Sequence, residues 1–320
     1  MSPIRPFKPL AQQTTPGPDG VVIVDKPRGL TSHDVVTRVR RILRTRRIGH
    51  VGTLDPLATG VLPLVVGRAT RLASLLSLGD KIYHAVFRLG ISTDTYDVTG
   101  RIVSPETLKN KNPPLTHEIV EAVKRNFVGT FKQVPPPYSA KKIGGVRAYQ
   151  LARRRESFVP KAVEVKVKQF QIEQLTTDHI VCRVTCAPGF YIRSLANDLG
   201  QALGCGACLE NLRREQSGPF TISEATSIDQ LEQNNDHSSR YLIPMARLLP
   251  NLQSVVATER GARLATHGNT ITSAQFKIIP EQIPTTPLLD RVKIYDNSGN
   301  LLAIAERTAT GILHPMIVLV

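Results

Sequence analysis

The chain has 320 residues, 41% of them hydrophobic, enough to bury one large core and an expected second one. Its 41 Lys and Arg outnumber 26 Asp and Glu for a net charge of +15, which points to a polyanionic partner or an anionic surface. No apolar run is long enough to span a bilayer and Trp is absent, so a membrane partner is set aside, and the N-terminus lacks the apolar core of a signal peptide, which makes a cytoplasmic location the expectation.

Met1 to Gly20 holds five prolines and reads as a disordered tail. Val21 to Asp25 is a β-branched strand that ends in the turn Lys26-Pro27-Arg28-Gly29. Thr31 or Ser32 then caps a helix running to about Thr45, with Val35, Val36, Val39, Ile42 and Leu43 on its apolar face. The other face carries Arg38, Arg40, Arg41, Arg44, Arg46 and Arg47 against the single acid Asp34, a surface suited to phosphates.

The run GHVGTLDPLATGVLP, Gly49 to Pro63, follows directly. Asp55 precedes Pro56 and is pushed out of the helical region. Val61 to Val66 reads as a buried strand. The construction is a bent loop presenting one acid at a sheet edge, suited to a nucleophile or a general base; a plain Asp-Pro turn is the alternative.

Beyond it, Ala69 to Leu78 is predicted helical and Lys81 to Leu89 alternates as a strand carrying Tyr83. Ile91 to Thr99, with Asp94 and Asp97, is turn-like, and His117 to Phe127 is an amphipathic helix capped by Thr116. QVPPPYSAKKIGG cannot be helical, because it holds three consecutive prolines. Arg147 to Arg155 reads as a second basic helix, and Val159 to Gln174 with Ile180 to Ala187 as a hairpin.

Gly189 opens a turn into a helix, Tyr191 to Leu203, whose first turn carries Tyr191 and Arg193. The four cysteines are Cys182 and Cys186, which share a strand face with Val184, and Cys205 and Cys208 in a C-x-x-C. One pair on a strand argues against a four-ligand zinc site, so no metal is expected, and disulfides are not expected either. A polar stretch at Asn234 to Ser239 marks a domain linker. Leu248 to Val320 then reads as a small β-rich domain with a hairpin turn at Asp296-Asn297-Ser298-Gly299.

Six blocks in order resemble the bacterial TruB-type tRNA pseudouridine synthases: VDKPRGLTSHDVV, GHVGTLDPLATGVLP, YHAVFRLGISTDTYDVTG, QVPPPYSAKKIGGVRAYQLAR, GFYIRSLANDLG and GCGACLENLRR. The resemblance implies an α+β fold: a mixed, largely antiparallel sheet with flanking helices over residues 21–240, then a PUA-like β-rich domain over 245–320. It implies isomerisation of uridine 55 in the TΨC loop of tRNA to pseudouridine, with no cofactor and no guide RNA; a monomer is expected. The target base must leave its stack to be reached.

In this resemblance Asp55 is the catalytic carboxylate, attacking the substrate or removing a ribose proton, and Arg193 is its partner. Tyr83 stacks on the base, and Tyr191, Leu212 and Lys26 line the pocket. His50 contacts the substrate loop, Asp97 contacts RNA or holds its own loop, and Arg38, Arg41, Arg44, Arg46 and Arg47 are candidate RNA contacts. Val51 stands where many relatives have a small hydroxyl residue, and Cys208 where histidine is common. The Pro-rich tail and Ala274 to Asp290 look like local additions. An RNA chaperone without chemistry, or an N-glycosidase releasing free uracil, is the competing reading.

Overall fold

The computed structural model describes residues 18–104, 115–139, 142–143, 146–147, 160–233, 240–279 and 290–320. Among these, nine strands form one mixed sheet. Along its main path lie Gly20–Lys26, Thr59–Val66, Ala207–Ser217, Lys81–Leu89, His179–Cys186, Val163–Leu175 and Gly129–Gln133. Ile48–His50 and Phe220–Thr221 pair beside that path.

Neighbours on this path run antiparallel with one exception. Thr59–Val66 meets Ala207–Ser217 in parallel, with Thr59 opposite Arg213 and Gly60 opposite Arg214. This short seam joins two antiparallel halves. Gly60 sits there at φ +100°, and a Cβ on it would lie 2.2 Å from the Arg214 carbonyl oxygen, so only glycine permits the approach.

Alternation along the strands sends side chains to two cores. Val22, Val24, Leu62 and Leu64 face the cluster that holds the helices Ser32–Ile42 and Ile192–Ala202. Val21, Ile23, Val61 and Val65 face the other way and share a cluster with Leu301, Ile304 and Leu319 of the C-terminal sheet.

That second sheet runs in the order Phe276–Ile278, Gln253–Ala257, Arg291–Tyr295, Leu301–Arg307, Leu313–Val318. The helix Glu259–Thr266, capped by Thr258, packs on it through Ala265. The expected β-rich C-terminal unit is therefore present. Its hairpin turn is tied by Asp296, whose carboxylate accepts from the Ser298 and Asn300 N–H groups.

Ser32–Ile42 begins with a reciprocal cap between Thr31 and Asp34. It stops three residues short of Thr45 because Arg44 turns left-handed at φ +49°. The Thr45 and Arg44 N–H groups donate back to Arg40 and Arg41 carbonyls, which closes the end as a Schellman motif.

The helix expected from Ala69 to Leu78 is instead a 3₁₀ segment, Gly67–Leu72, followed by one short α-turn, Ala73–Leu76. The Thr70 and Ser77 hydroxyls donate to carbonyls three residues back, a local alternative to helical bonding. His117–Lys124 similarly ends in a 3₁₀ turn, Arg125–Phe127.

The hairpin strands are Val163–Leu175 and His179–Cys186, and Cys182, Val184 and Cys186 are buried together. Within the described end of the expected tail, the Asp19 carboxylate accepts from the Arg68 backbone N–H and guanidinium. Residues 1–17, most of the expected basic helix from Arg147 to Arg155 and the Asn234–Ser239 linker lie outside the described residues; Val146–Arg147 is a short strand paired with Lys142–Ile143. The start of the Ala274–Asp290 stretch supplies the edge strand Phe276–Ile278.

Candidate active site

The backbone of the loop from Val51 to Ala58 is tied down at several points. The Ser32 hydroxyl, at the start of its helix, accepts from the Leu54 N–H at 2.9 Å and donates to the Leu54 carbonyl at 3.1 Å. The Pro56 carbonyl accepts from the Gly29 N–H at 2.8 Å and from Lys26 Nζ at 3.4 Å. The Gly52 carbonyl accepts from Arg214 Nη2 at 2.9 Å. The Ala58 N–H donates to the Asp55 carbonyl at 3.0 Å and closes the turn. The Asp55 carboxylate is thereby presented from a fixed backbone.

Arg193 meets it from the helix Ile192–Ala202. Its Nε donates to Asp55 Oδ2 at 2.8 Å and its Nη2 to Oδ1 at 3.1 Å, a two-point fork. Its remaining donors reach the Thr95 carbonyl at 3.1 Å and the Tyr138 carbonyl at 2.9 Å. The Arg193 side chain is 5% exposed and that of Asp55 36%, so the cation is the buried support and the carboxylate the accessible partner. Tyr191 is the extended N-cap of this helix; its N–H donates to the Gln133 amide oxygen, and its carbonyl accepts from the Gln133 amide NH2 as well as from the Leu195 N–H. Tyr191 is thus the residue before the helix, not part of its first turn.

Two cavities meet at this ion pair. One, of about 260 Å³, is lined by Asp55, Tyr83, Tyr191, Leu212, Arg193, Lys81 and Arg214 among others. The other, of about 420 Å³, lies between the Asp55 loop, His33, His50, Asp97 and Tyr138. Tyr83 reaches the first from the strand Lys81–Leu89 and is 7% exposed. Burial raises its phenol pKa, opposed by the charge of Arg214, so the phenol is neutral at pH 7.

The expected site residues fall into three groups. Asp55, Tyr83, Tyr191, Leu212 and Arg193 converge on the smaller cavity, and His50 and Asp97 on the larger. Burial, with the charges of Arg214 and His33, lowers the pKa of His50. Asp97 is largely engaged inside its own loop. Its carboxylate accepts from the Thr95 hydroxyl at 2.9 Å and the Thr99 N–H at 2.9 Å, and lies 3.9 Å from Arg193.

Lys26 sits beneath the loop, not on a cavity wall. Its fully buried ammonium donates to the Pro27 and Leu30 carbonyls at 2.8 and 2.6 Å. Burial pulls its pKa down to about 8, against the raising effect of Asp55 and Asp34. Arg38, Arg41, Arg44, Arg46 and Arg47 are all exposed. Arg40 turns inward and donates to the Ile48 carbonyl at 2.9 Å.

Arg214, Lys81 and Gln133 were not foreseen in the site. Arg214 and Gln133 stand inside the matched blocks, but a charged or amide side chain on a strand, like Arg214, Lys81 or Gln133, ordinarily faces water. Among the described residues no group of three or more His, Cys, Asp or Glu is arranged to hold a metal. No helix among them is long and apolar enough to cross a membrane.

Comparison with known proteins gives a consistent picture. Residues 40–192 match the model of the TruB family pseudouridylate synthase N-terminal domain. Residues 193–250 match that of the tRNA pseudouridylate synthase B C-terminal domain. A tRNA pseudouridine synthase B from Solibacter usitatus (strain Ellin6076) is 41% identical over 303 residues, covering 94% of this chain and 100% of the relative. One from Thermobifida fusca (strain YX) is 40% identical, covering 94% and 98%. Among solved structures, an H/ACA RNP bound to a substrate RNA containing 2'-deoxyuridine shares the fold, with a TM-score of 0.69 at 23% identity over 96% of this chain and 92% of that one.

Proposed function

The chain belongs to the TruB family of pseudouridylate synthases, and on that premise we propose that it isomerises uridine 55 of the tRNA TΨC loop to pseudouridine, with Asp55 as the reacting carboxylate. The observation that carries this reading is the forked Asp55–Arg193 pair at the mouth of a cavity walled by Tyr83, Tyr191 and Leu212. A uridine stacked in a folded loop must be extruded to reach such a recess, and an aromatic wall repays part of the lost stacking.

In the recess the bond from ribose C1′ to uracil N1 breaks, the base turns, and C1′ bonds to C5. The reaction is an isomerisation, so atoms and electrons balance without a redox partner. Asp55 either bonds to the sugar or takes a ribose proton. Arg193 aims both carboxylate oxygens, and Tyr83 packs on the base. His50 and Asp97 face the adjoining cavity, where the rest of the RNA loop enters, and Lys26 holds the Asp55 loop from below. The exposed Arg38, Arg41, Arg44, Arg46 and Arg47 take phosphates, which positions the RNA without reading its sequence. No guide RNA is required in this reading, and one protein chain with tRNA suffices.

The test is incubation of the protein with a bare TΨC stem-loop, followed by nucleoside analysis. Pseudouridine at the single expected position supports the reading. Free uracil instead of pseudouridine identifies a glycosidase, and binding without either product identifies a chaperone. Asp55→Asn should retain stem-loop binding and yield no product; turnover by that variant would remove Asp55 from the mechanism.

A further inference from the structure

Two cations lie behind the base cavity with no part in the scheme above. Arg214 is fully buried on the strand Ala207–Ser217. Its Nε and Nη2 donate to the Val61 and Gly52 carbonyls at 2.7 and 2.9 Å, and its charge acts on the Tyr83 phenol in the same cavity. Lys81, two residues before Tyr83, is also buried and donates to the Ser77 and Gly79 carbonyls at 3.1 and 2.9 Å. Both line the cavity that holds Asp55 and Tyr83.

Every one of these contacts is with a neutral group. Among the described residues neither cation makes an ion pair, and the neighbouring carboxylate, Asp80, is engaged by Lys168. Arg193, by contrast, has its charge met by Asp55. Burying one uncompensated charge is costly, and burying two side by side costs more. The Arg214 charge adds to burial in lowering the Lys81 pKa, as like charges crowded together do. A fold that keeps such a pair at its reaction cavity has a use for a positive field there.

The synthase reading supplies an anion of the right size and lifetime. When C1′–N1 breaks heterolytically, its electron pair leaves with the base and spreads over N1, O2 and O4 of uracil. This holds whether the sugar is captured by Asp55 or loses a proton. The base must then stay in place long enough to turn. Resting on that reading, we propose that Arg214 and Lys81 form an anion-stabilising wall for the detached uracil, holding its negative charge between cleavage and re-attachment. When C5 bonds to C1′, the C5 proton leaves, N1 takes up a proton, and the charge is discharged. Fixed charges in a water-poor recess need no reorganisation at the moment of bond cleavage, which makes them effective.

The test compares single-turnover loss of uridine and of 5-fluorouridine from otherwise identical stem-loops. Fluorine at C5 stabilises the departing anion by itself and lessens the need for protein charge. Lys81→Met should slow uridine cleavage about 10- to 100-fold, the scale of losing one electrostatic stabiliser, and slow 5-fluorouridine cleavage clearly less. The ratio of the two rates should therefore rise several-fold at unchanged stem-loop affinity. Arg214→Gln should do the same and Arg214→Lys should keep the parent ratio. Because Arg214 also holds Gly52 and Val61, its variants are judged only where their melting temperatures match the parent, and Lys81→Met otherwise carries the test alone. Equal slowing of both substrates, or none, overturns the proposal while leaving the synthase reading intact. Absence of pseudouridine with the parent protein overturns both.

Discussion

Replacing Arg193 by lysine keeps one positive charge but removes the fork. The parent guanidinium makes four hydrogen bonds, two to Asp55 and one each to the Thr95 and Tyr138 carbonyls. A lysine ammonium has three donors on one atom and cannot grip both carboxylate oxygens in parallel. Three donors cannot serve four acceptors, so at least one is left without its bond, which costs about 1–3 kcal/mol if it is one of the carbonyls. The Asp55 side chain is 36% exposed and can take water, so the stability loss should stay near the low end.

Activity should suffer more, because displacement of a reacting group by about 1 Å costs roughly 100-fold. Arg193→Lys should therefore lower single-turnover pseudouridine formation about 100-fold, with unchanged stem-loop affinity and a melting temperature only about 2–4 °C lower. Parent-like turnover by a folded Arg193→Lys would show that the fork does not aim Asp55 and would refute the reasoning.

Three further outcomes follow from separate parts of the molecule. Stem-loop affinity should fall steeply with salt, and the triple variant Arg41→Ala/Arg44→Ala/Arg46→Ala should flatten the log–log slope by about 2 to 3 units; an unchanged slope in filter binding would remove that helix end from the RNA surface. Lys26, with its folded pKa near 8 against 10.5 unfolded, binds fewer protons in the native state. The parent should gain stability relative to Lys26→Met as pH rises from about 8 to 10.5, by at most about 3 kcal/mol in urea unfolding; a flat difference would show the ammonium is not buried. Gly60→Ala must push a methyl group into the Arg214 backbone at a left-handed φ, so it should unfold the protein or lower its melting temperature by more than about 10 °C; a folded, active variant would show that the seam is slack.

Local order was legible where residues answer to their neighbours along the chain. Val35, Val36, Val39 and Ile42 repeat at helical spacing, and Thr31 with Asp34 writes its own cap, so the helix Ser32–Ile42 was readable apart from its last turn. The alternation of Lys81–Leu89 was equally clear. The segment after Gly67 misled because its apolar spacing is helical while its Thr70 and Ser77 hydroxyls favour tighter bonding.

The Asp55 loop and its basic neighbour were readable as a candidate site from the residues, but the partners of Asp55 came only through family resemblance. No spacing rule brings Asp55 to Arg193 across 138 residues, and nothing local separates a buried Arg214 from the exposed arginines of the basic helix. Arg214 is buried because the parallel seam passes its backbone against Gly60 and leaves the Gly52 and Val61 carbonyls for its guanidinium. Such three-dimensional bookkeeping has no one-dimensional trace. Lys26 shows the same limit: its place beneath the loop depends on Pro56 arriving thirty residues later.

The two-residue seam between Thr59–Val66 and Ala207–Ser217 also orders events during synthesis. Asp55 and Arg193 sit on opposite sides of this join, and the strand that closes it is the last of the main path to leave the ribosome. A nascent chain can pair Gly20–Lys26 with Thr59–Val66 and still hold no recess for a nucleobase. Catalytic competence therefore arrives in a single late step, and no N-terminal fragment ending before Arg214 should modify RNA.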